Sequence, residues 1–120
     1  MAKKILFVDD EPDILKLTTF RLKNAGYEVL SATNGKEAMD LIKSTVPDLI
    51  LLDWNMPLVN GEQFCKQLRS DNSLKHIPVI LFSATVNRLK DKVAEFGADD
   101  YLPKPYTPED LLGKVEKFIG

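Results

Sequence analysis

Short apolar runs alternate with amphipathic helical patterns along the whole chain, and this alternation constrains the fold more than any other feature. The runs at residues 5–8, 49–52 and 78–82 are continuously apolar rather than alternating. Strands that are buried on both faces have this pattern, because neither face needs polar side chains. Helices packed on both sides of a parallel sheet would bury such strands. The sequence therefore predicts an α/β fold.

The remaining segments complete five strand–helix units. The segment at residues 27–31 is more polar than the other predicted strands, which suits the edge of a sheet. Placing it at the edge gives the strand order 2-1-3-4-5, with strands 1, 3 and 4 inside. We therefore expect one doubly wound, five-stranded parallel sheet flanked by five helices. The other predicted elements are a strand at 99–102 and helices at 13–25, 36–44, from 61 onward, 89–96 and 107–119.

Length and composition exclude several classes of protein. The chain has 120 residues, one cysteine, one histidine and a formal net charge of −2. This length fits a single domain, and one cysteine excludes an intramolecular disulfide or a cysteine zinc cluster. The charge is unlike that of a basic nucleic-acid-binding surface, and the apolar runs are too short to cross a membrane. We predict a soluble cytoplasmic domain that binds neither nucleic acid nor membranes.

Polar residues follow the predicted strands at the point where each strand ends. Strand 1 runs into Asp9 and Asp10, strand 3 into Asp53, strand 4 into Ser83 and strand 5 into Lys104. Ligand sites in open parallel sheets lie beyond the carboxyl ends of the strands, where the strand order reverses. We therefore expect three carboxylates, a hydroxyl and a lysine to meet at one edge of the sheet.

This set of side chains suits phosphoryl chemistry supported by a divalent cation. Three close carboxylates repel one another, and their oxygens are the ligands preferred by Mg²⁺ or Mn²⁺. A lysine at the same edge could bind a phosphate oxygen. A carboxylate can also act as a nucleophile and form an aspartyl phosphate. Asp53 is the candidate, because it follows the central strand.

Four segments of the chain resemble those of receiver domains from bacterial two-component response regulators. They are residues 7–11, residues 51–57 together with Gly61, residues 81–84 and residues 97–105. They occur in the order and spacing of such a domain, so the chain resembles a chemotaxis-type receiver over essentially its whole length. The resemblance implies a flavodoxin-like sheet and a single receiver domain over residues 1–120.

The resemblance also implies roles for the residues at the predicted site. Asp53 would accept a phosphoryl group from a sensor histidine kinase or a histidine phosphotransfer protein. Asp10, Asp53 and the backbone carbonyl of Asn55 would ligate Mg²⁺ directly, and Asp9 would act mostly through a metal-bound water. Lys104 would pair with a phosphoryl oxygen.

Ser83 and Tyr101 would form the switch that the resemblance implies. Ser83 stands where threonine is frequent; it would donate its hydroxyl to the phosphoryl group and move toward it. Tyr101 would then change between outward and buried rotamers. The Lys104–Pro105 peptide bond is typically cis in such domains, and phenylalanine is common at the position of Tyr106, where we expect tyrosine to change little. Trp54, Ala84, Thr85 and Pro105 would flank the site.

These roles predict a signalling switch rather than a turnover enzyme. Phosphorylation would change the face formed by the predicted fourth helix, fifth strand and fifth helix, which would bind an unidentified output partner or a second copy of the chain. The alternative is a small Mg²⁺-dependent phosphohydrolase with an aspartyl-phosphate intermediate, but Asn55 replaces the acid/base aspartate of such enzymes. A flavodoxin-like electron carrier is disfavoured, because the acidic loop at residues 9–13 would repel a flavin phosphate.

Three further residues have ordinary structural interpretations. Asp13 is predicted to be the N-cap of the first helix. Cys65 is expected to be a small packing residue. His76 is expected to be a surface residue in a helix-to-strand loop rather than a phosphodonor.

Overall fold

The computed structural model describes residues 2–53, 61–83, 91, 93, 95 and 97–119. Over these residues, five strands form one sheet, and four helices of at least ten residues cover its two faces. The strands are β1 (Lys4–Val8), β2 (Glu28–Ala32), β3 (Leu49–Asp53), β4 (Val79–Ser83) and β5 (Asp100–Pro103). The helices are α1 (Pro12–Asn24), α2 (Gly35–Ser44), α3 (Gly61–Ser70) and α4 (Pro108–Ile119).

The sheet has the predicted order, β2-β1-β3-β4-β5, and every neighbouring pair is parallel. The polar strand β2 lies at an edge, as its composition predicted. Val8 of β1 is paired with Leu52 of β3, and Ser83 of β4 with Pro103 of β5. This register brings the carboxyl ends of the strands to one edge, which is where the predicted site residues begin.

The predicted helix at residues 89–96 falls mostly outside the described residues. Asp91, Val93 and Glu95 are described, and all three have helical backbone. Val93 packs against the buried core. The helix that the sequence predicted as the fifth is α4.

The core consists of two apolar layers, one on each face of the sheet. On β1, for example, Leu6 and Val8 belong to one layer, whereas Ile5 and Phe7 belong to the other. This is the alternation expected along a strand, in which successive side chains point to opposite faces. α2 and α3 cover the first layer, and α1 and α4 cover the second. Both faces of β1, β3 and β4 are therefore buried, as their continuously apolar sequences indicated.

The start of α1 corrects one prediction. Asp13 is not the N-cap: Glu11 occupies that position, and its side chain makes no capping hydrogen bond. Pro12 begins the helix, because its missing N–H and fixed φ suit the first helical position. Asp13 lies in the first turn, where its charge interacts favourably with the helix dipole. Before α4, Thr107 Oγ1 accepts a hydrogen bond of 3.1 Å from the Asp110 amide and so caps the start of that helix.

Arg69 at the end of α3 holds the segment that leads into β5. Its guanidinium donates to the carbonyl oxygens of Lys75, Ile77 and Gly97 at 2.7–2.9 Å. It also pairs with Asp99 at 3.0 Å, and the same Asp99 oxygen accepts the Val79 amide at 2.9 Å. These contacts of Arg69 and Asp99 fix the start of β4 relative to the start of β5. They thereby help to fix the relative positions of the carboxyl ends of the two strands at the site.

Candidate phosphoryl-transfer site

Three carboxylates meet at the carboxyl edge of the sheet. Asp9, Asp10 and Asp53 each place a carboxylate oxygen within 4.8 Å of the others. The Asp9 amide extends the β1–β2 ladder by donating to Ala32 at 3.1 Å, and Asp53 is the last residue of β3. Asp9 and Asp53 are buried, with 0% and 5% of their surface exposed, whereas Asp10 is exposed. The cluster therefore opens to solvent on the side of Asp10.

Lys104 supplies the positive charge within this cluster. Its Nζ lies 2.8 Å from Asp9 Oδ2, 3.3 Å from Asp53 Oδ2 and 3.6 Å from Glu11 Oε1. Its backbone amide donates to the Ser83 carbonyl at 2.9 Å, which anchors the lysine to the end of β4. The Lys104–Pro105 bond is cis, as the resemblance implied.

The surrounding carboxylates stabilise the protonated, positively charged form of Lys104. Burial alone would lower the pKa of the ammonium group, since burial disfavours the charged form. The hydrogen bond to Asp9 and the charges of Asp53 and Asp9 outweigh this effect and raise the pKa above its usual value. Lys104 is therefore a cation at neutral pH, fixed between two carboxylates.

The donor set fits a hard divalent cation. The carboxylates of Asp9, Asp10 and Asp53 supply oxygen atoms alone, and oxygen atoms are the ligands of Mg²⁺ in proteins. One of the three carboxylates faces solvent, which suits an ion that keeps several water ligands. With one lysine among three carboxylates, the cluster also has an excess of negative charge that a cation would offset.

The two predicted switch residues occupy different surroundings. Ser83 ends β4 and is 1% exposed, and its carbonyl accepts the Lys104 amide. Tyr101 lies on β5 and is half-buried; it packs against the core layer that α2 and α3 cover. Ser83 therefore adjoins the site directly, whereas Tyr101 lies on the adjacent strand, paired in register with Leu81.

Several predicted residues fall outside the described part of the chain. Three of them were expected to flank the site, namely Trp54, Ala84 and Thr85. Asn55, whose carbonyl was expected to bind the metal, is also among them. The assignments of these residues stay predictions.

Two residues near the site, Glu11 and Tyr106, make contacts that the sequence analysis did not predict. Glu11 reaches Lys104, although it was considered only as part of a motif. Tyr106 Oη lies 2.8 Å from Thr18 Oγ1 on α1, a hydrogen bond that phenylalanine could not form. The Tyr106 ring also packs on Phe82, with ring centroids 5.1 Å apart. Tyr106 therefore ties the segment after Lys104 to α1, whereas the sequence led us to expect little effect.

Cys65 and His76 have the ordinary roles that the sequence suggested. Cys65 is fully buried, and burial raises the pKa of its thiol to about 11. The thiolate, which is the reactive form, is therefore scarce at neutral pH. His76 is exposed in the turn before β4.

Asp100 forms a second charged cluster, on β5 and α4. It accepts hydrogen bonds from Lys114 Nζ at 2.9 Å, Lys117 Nζ at 3.2 Å and the Tyr101 amide at 2.8 Å. Burial alone would raise the pKa of Asp100, but these hydrogen bonds outweigh burial and hold the pKa below its usual value. The charged carboxylate is therefore favoured in the folded state.

We expect Asp100→Asn to remove part of the acid sensitivity of the fold. A lowered pKa stabilises the folded state above the unfolded-state pKa of about 3.9, and this stability is lost as pH falls through the folded-state pKa. The variant should be less stable than the parent at neutral pH, and the difference should shrink below about pH 4. Urea unfolding across this range measures it, with the exposed Asp40→Asn as the matched control. A difference that stays constant down to about pH 2 would contradict the assignment.

Comparison with known proteins places this chain in a family. The family model for the response regulator receiver domain matches residues 5–116. The chain belongs to this family. It is 39% identical to the alkaline phosphatase synthesis transcriptional regulatory protein PhoP of Bacillus subtilis over 99% of this chain and 49% of PhoP. Receiver domains act in phosphorylation-dependent signalling, and they interact with histidine kinases.

Solved structures agree with the fold. The chemotaxis response regulator CheY4 of Vibrio cholerae is 32% identical and superposes with a TM-score of 0.92, over 98% of this chain and 99% of CheY4. The response regulator TrrA of Thermotoga maritima, solved in complex with Mg²⁺ and BeF, is 35% identical with a TM-score of 0.85, over 97% of this chain and 98% of TrrA. Both comparisons support the predicted receiver architecture.

The chain spans about half the length of the curated relatives that it matches. Those relatives include transcriptional regulators such as PhoP, of which the matched segment makes up 49%. In the part of the chain that the structure describes, each helix is too short or too polar to cross a membrane.

Proposed function

We propose that this chain is a phosphorylation-dependent switch in which Asp53 accepts a phosphoryl group from a phosphohistidine. The donor would be a sensor histidine kinase or a histidine phosphotransfer protein. The observation that carries this proposal is the position of Lys104, whose Nζ lies within 3.3 Å of both Asp9 and Asp53. A fixed cation beside a buried carboxylate at the end of a central strand supports this role, because the cation can stabilise the charge of a phosphoryl group attached there.

The proposed transfer has a simple balance of bonds and charge. An oxygen of the Asp53 carboxylate attacks phosphorus and forms a new P–O bond, while the P–N bond of the phosphohistidine breaks. The released imidazole nitrogen keeps the electron pair and takes up a proton. Lys104 stabilises the phosphoryl oxygens by charge, and Ser83 would donate its hydroxyl to the same group. Catalysis of this kind depends mainly on position and electrostatics.

Mg²⁺ is the cofactor that the carboxylate cluster fits, and Mn²⁺ could replace it. Asp10 and Asp53 would hold the ion directly, with the Asn55 carbonyl, and Asp9 would act through bound water. When bound, the ion offsets negative charge on the phosphoryl group and the carboxylates.

We expect Asp10→Ala to weaken Mg²⁺ binding by about tenfold or more, because it removes an exposed oxygen ligand. Titration calorimetry of the purified chain measures the affinity, and the fluorescence of the single tryptophan, Trp54, gives a second readout. Asp40→Ala is the control, since Asp40 is exposed on α2. An unchanged affinity in Asp10→Ala would remove Asp10 from the metal site.

Phosphorylation would act at a distance by shifting an equilibrium between two arrangements. Ser83 would move toward the phosphoryl group, and Tyr101 would change its rotamer on the adjacent strand. The face formed by residues 89–96, β5 and α4 would then bind an output protein or domain, or a second copy of the chain. We propose that residues 1–120 form this single domain and that it works in the cytoplasm.

A protein donor would have an apolar surface available on α1, on the side of the site where Lys104 lies. Leu17 and Phe20 on α1 are 50% and 61% exposed. Leu17 also lines a cavity of about 340 Å³ between α1 and the segment from Lys104 to Tyr106. A donor histidine must touch Asp53, which lies against Lys104. We therefore propose that the donor protein covers this part of α1.

The double variant Leu17→Ala/Phe20→Ala is expected to slow phosphorylation by a phosphohistidine protein by about tenfold or more. Phosphorylation by acetyl phosphate should stay at the parent rate, because a small donor needs no docking surface. Both rates follow from mass spectrometry of quenched samples. Val46→Ala removes an equally exposed side chain beside the opposite edge of the sheet, near Lys4 and Asp48. Equal slowing with both donors, or none with the protein donor, would contradict the proposed surface.

The experiment that tests the function asks whether the chain gains a single phosphoryl group, as a switch would, or hydrolyses a phosphate ester repeatedly, as an enzyme would. The purified chain is incubated with Mg²⁺ and acetyl phosphate, and its intact mass and the released phosphate are measured over time. A switch gains one phosphoryl group and releases phosphate slowly. Rapid multiple turnover of a phosphomonoester such as p-nitrophenyl phosphate would instead indicate the phosphohydrolase alternative. A chain that binds Mg²⁺ but gains no phosphoryl group from acetyl phosphate or a phosphohistidine protein would contradict the proposal.

A further inference from the structure

The charged cluster on β5 and α4 includes a lysine with two different partners. Lys114 Nζ lies 2.9 Å from Asp100 Oδ1, and the same Nζ lies 5.5 Å from the centroid of the Tyr101 ring. This distance is within the range of a cation–π contact. Lys114 thus connects the carboxylate of one residue with the ring of the next, across the interface between β5 and α4.

Asp100 is held in a way that fixes the lysine. Its side chain is 10% exposed, and it accepts hydrogen bonds from the Tyr101 amide and from both lysines. The Lys114 side chain is 32% exposed, whereas that of Lys117 is 63% exposed. Lys117 Nζ is near the Phe118 ring at 5.4 Å. Of these two lysines, Lys114 is the more buried and the one that lies over the Tyr101 ring.

The Tyr101 ring also has an apolar contact. It packs against the core layer that α2 and α3 cover, and Val93 and Ala98 pack against the same layer. The ring is half-buried, so apolar packing and the Lys114 cation both contribute to its orientation. A change in either contact would alter how often the ring turns outward.

We infer that Lys114 is a positioning residue that holds the Tyr101 ring in its half-buried orientation, and that Asp100 fixes Lys114 in place. This inference deepens the proposed function and depends on it for the statement that the Tyr101 orientation is the output of the switch. Removing the Lys114 charge would raise the outward population of the ring without phosphorylation. The variant would resemble a partly activated switch, since an equilibrium shifts by the difference in interaction between its two states.

The test compares two lysines that share Asp100. Lys114→Met keeps an unbranched side chain and removes the charge at the ring, whereas Lys117→Met removes the other ion pair with Asp100. Lys114→Arg restores a cation that can contact both partners. The tyrosines are replaced by fluorotyrosine, and the Tyr101 signal in ¹⁹F NMR is assigned by its loss in Tyr101→Phe. The spectra are recorded on the complete, unphosphorylated chain without Mg²⁺.

The inference predicts that only Lys114→Met moves the Tyr101 signal toward its position in the urea-unfolded chain. The outward population should rise by about two- to fivefold, as expected for loss of a cation–π contact. Lys114→Arg should restore the parent signal. No movement in Lys114→Met would overturn the inference. Equal movement in Lys114→Met and Lys117→Met would also overturn it, because the ion pairs of Asp100 would then be responsible.

Acetyl phosphate separates this inference from the proposed function. Lys114→Met should still gain one phosphoryl group, at least to the parent extent, because Lys114 is not part of the site at Asp53 and a partly activated chain favours phosphorylation. If the parent itself gains none with any donor, the proposed function fails while the NMR result still tests the ring contact. If phosphorylation is normal and the ring signal does not move, only the inference fails.

Discussion

Asp53→Asn is expected to reduce phosphoryl incorporation to background. An amide is a far weaker nucleophile than a carboxylate, so the oxygen that would attack phosphorus is lost. Asp53 is 5% exposed at the end of β3, with Lys104 Nζ 3.3 Å from its Oδ2. Intact-mass spectrometry after incubation with Mg²⁺ and acetyl phosphate, followed by rapid quenching, measures the result directly.

The control for this variant is the same substitution at a nearby exposed position. Asp13→Asn lies in the first turn of α1, outside the carboxylate cluster, and should be phosphorylated like the parent. Asparagine has nearly the size of aspartate, so Asp53→Asn should keep the parent far-UV circular dichroism spectrum. Phosphoryl incorporation at the parent level in a folded Asp53→Asn chain would contradict the assignment of Asp53 as the nucleophile.

Lys104→Met is expected to lower the free energy of unfolding by about 3 kcal/mol in the absence of divalent cations. The side chains of Lys104, Asp9 and Asp53 are all buried, with 8%, 0% and 7% of the side-chain surface exposed. Removing one partner of a buried ion pair leaves charge buried without compensation, which is costly. Urea unfolding monitored by circular dichroism gives the change.

Mg²⁺ should restore part of the stability that Lys104→Met loses. A bound cation would offset the carboxylate charges in place of the lysine, so it should stabilise the variant more than the parent. Lys16→Met, which removes an exposed lysine from α1, should change stability by less than about 0.5 kcal/mol. The argument fails if Lys104→Met is as stable as the parent without Mg²⁺, or if Mg²⁺ stabilises both chains equally.

The strands and the composition of the site were predictable because they depend on local pattern. Continuous apolar runs occur in β1, β3 and β4, which are buried on both faces, and the polar β2 is at an edge. The residue after each run then falls at the carboxyl edge of the sheet by topology alone. This reasoning brought Asp9, Asp53 and Lys104 together before any distance was known.

The contacts that sequence reasoning missed join residues far apart in the chain. Tyr106 and Thr18 are separated by 88 positions, and their hydrogen bond depends on how α1 packs beside the segment after β5. The Asp100 cluster depends on which turns of α4 face β5. The wrong N-cap at Asp13 was a local error, because the preference of proline for the first helical turn outweighed that of aspartate for the cap. Local patterns predict elements, whereas side-chain partners require the packed structure.

The most direct test of the central claim is to identify the phosphorylated residue. Borohydride reduces an aspartyl phosphate to homoserine, which peptide mass spectrometry locates in the sequence. After treatment with Mg²⁺ and acetyl phosphate, the site predicts homoserine at position 53 and at no other aspartate, and none when Mg²⁺ is omitted. Homoserine at Asp9, Asp10 or another position, or its absence from a chain that has gained a phosphoryl group, would contradict the account.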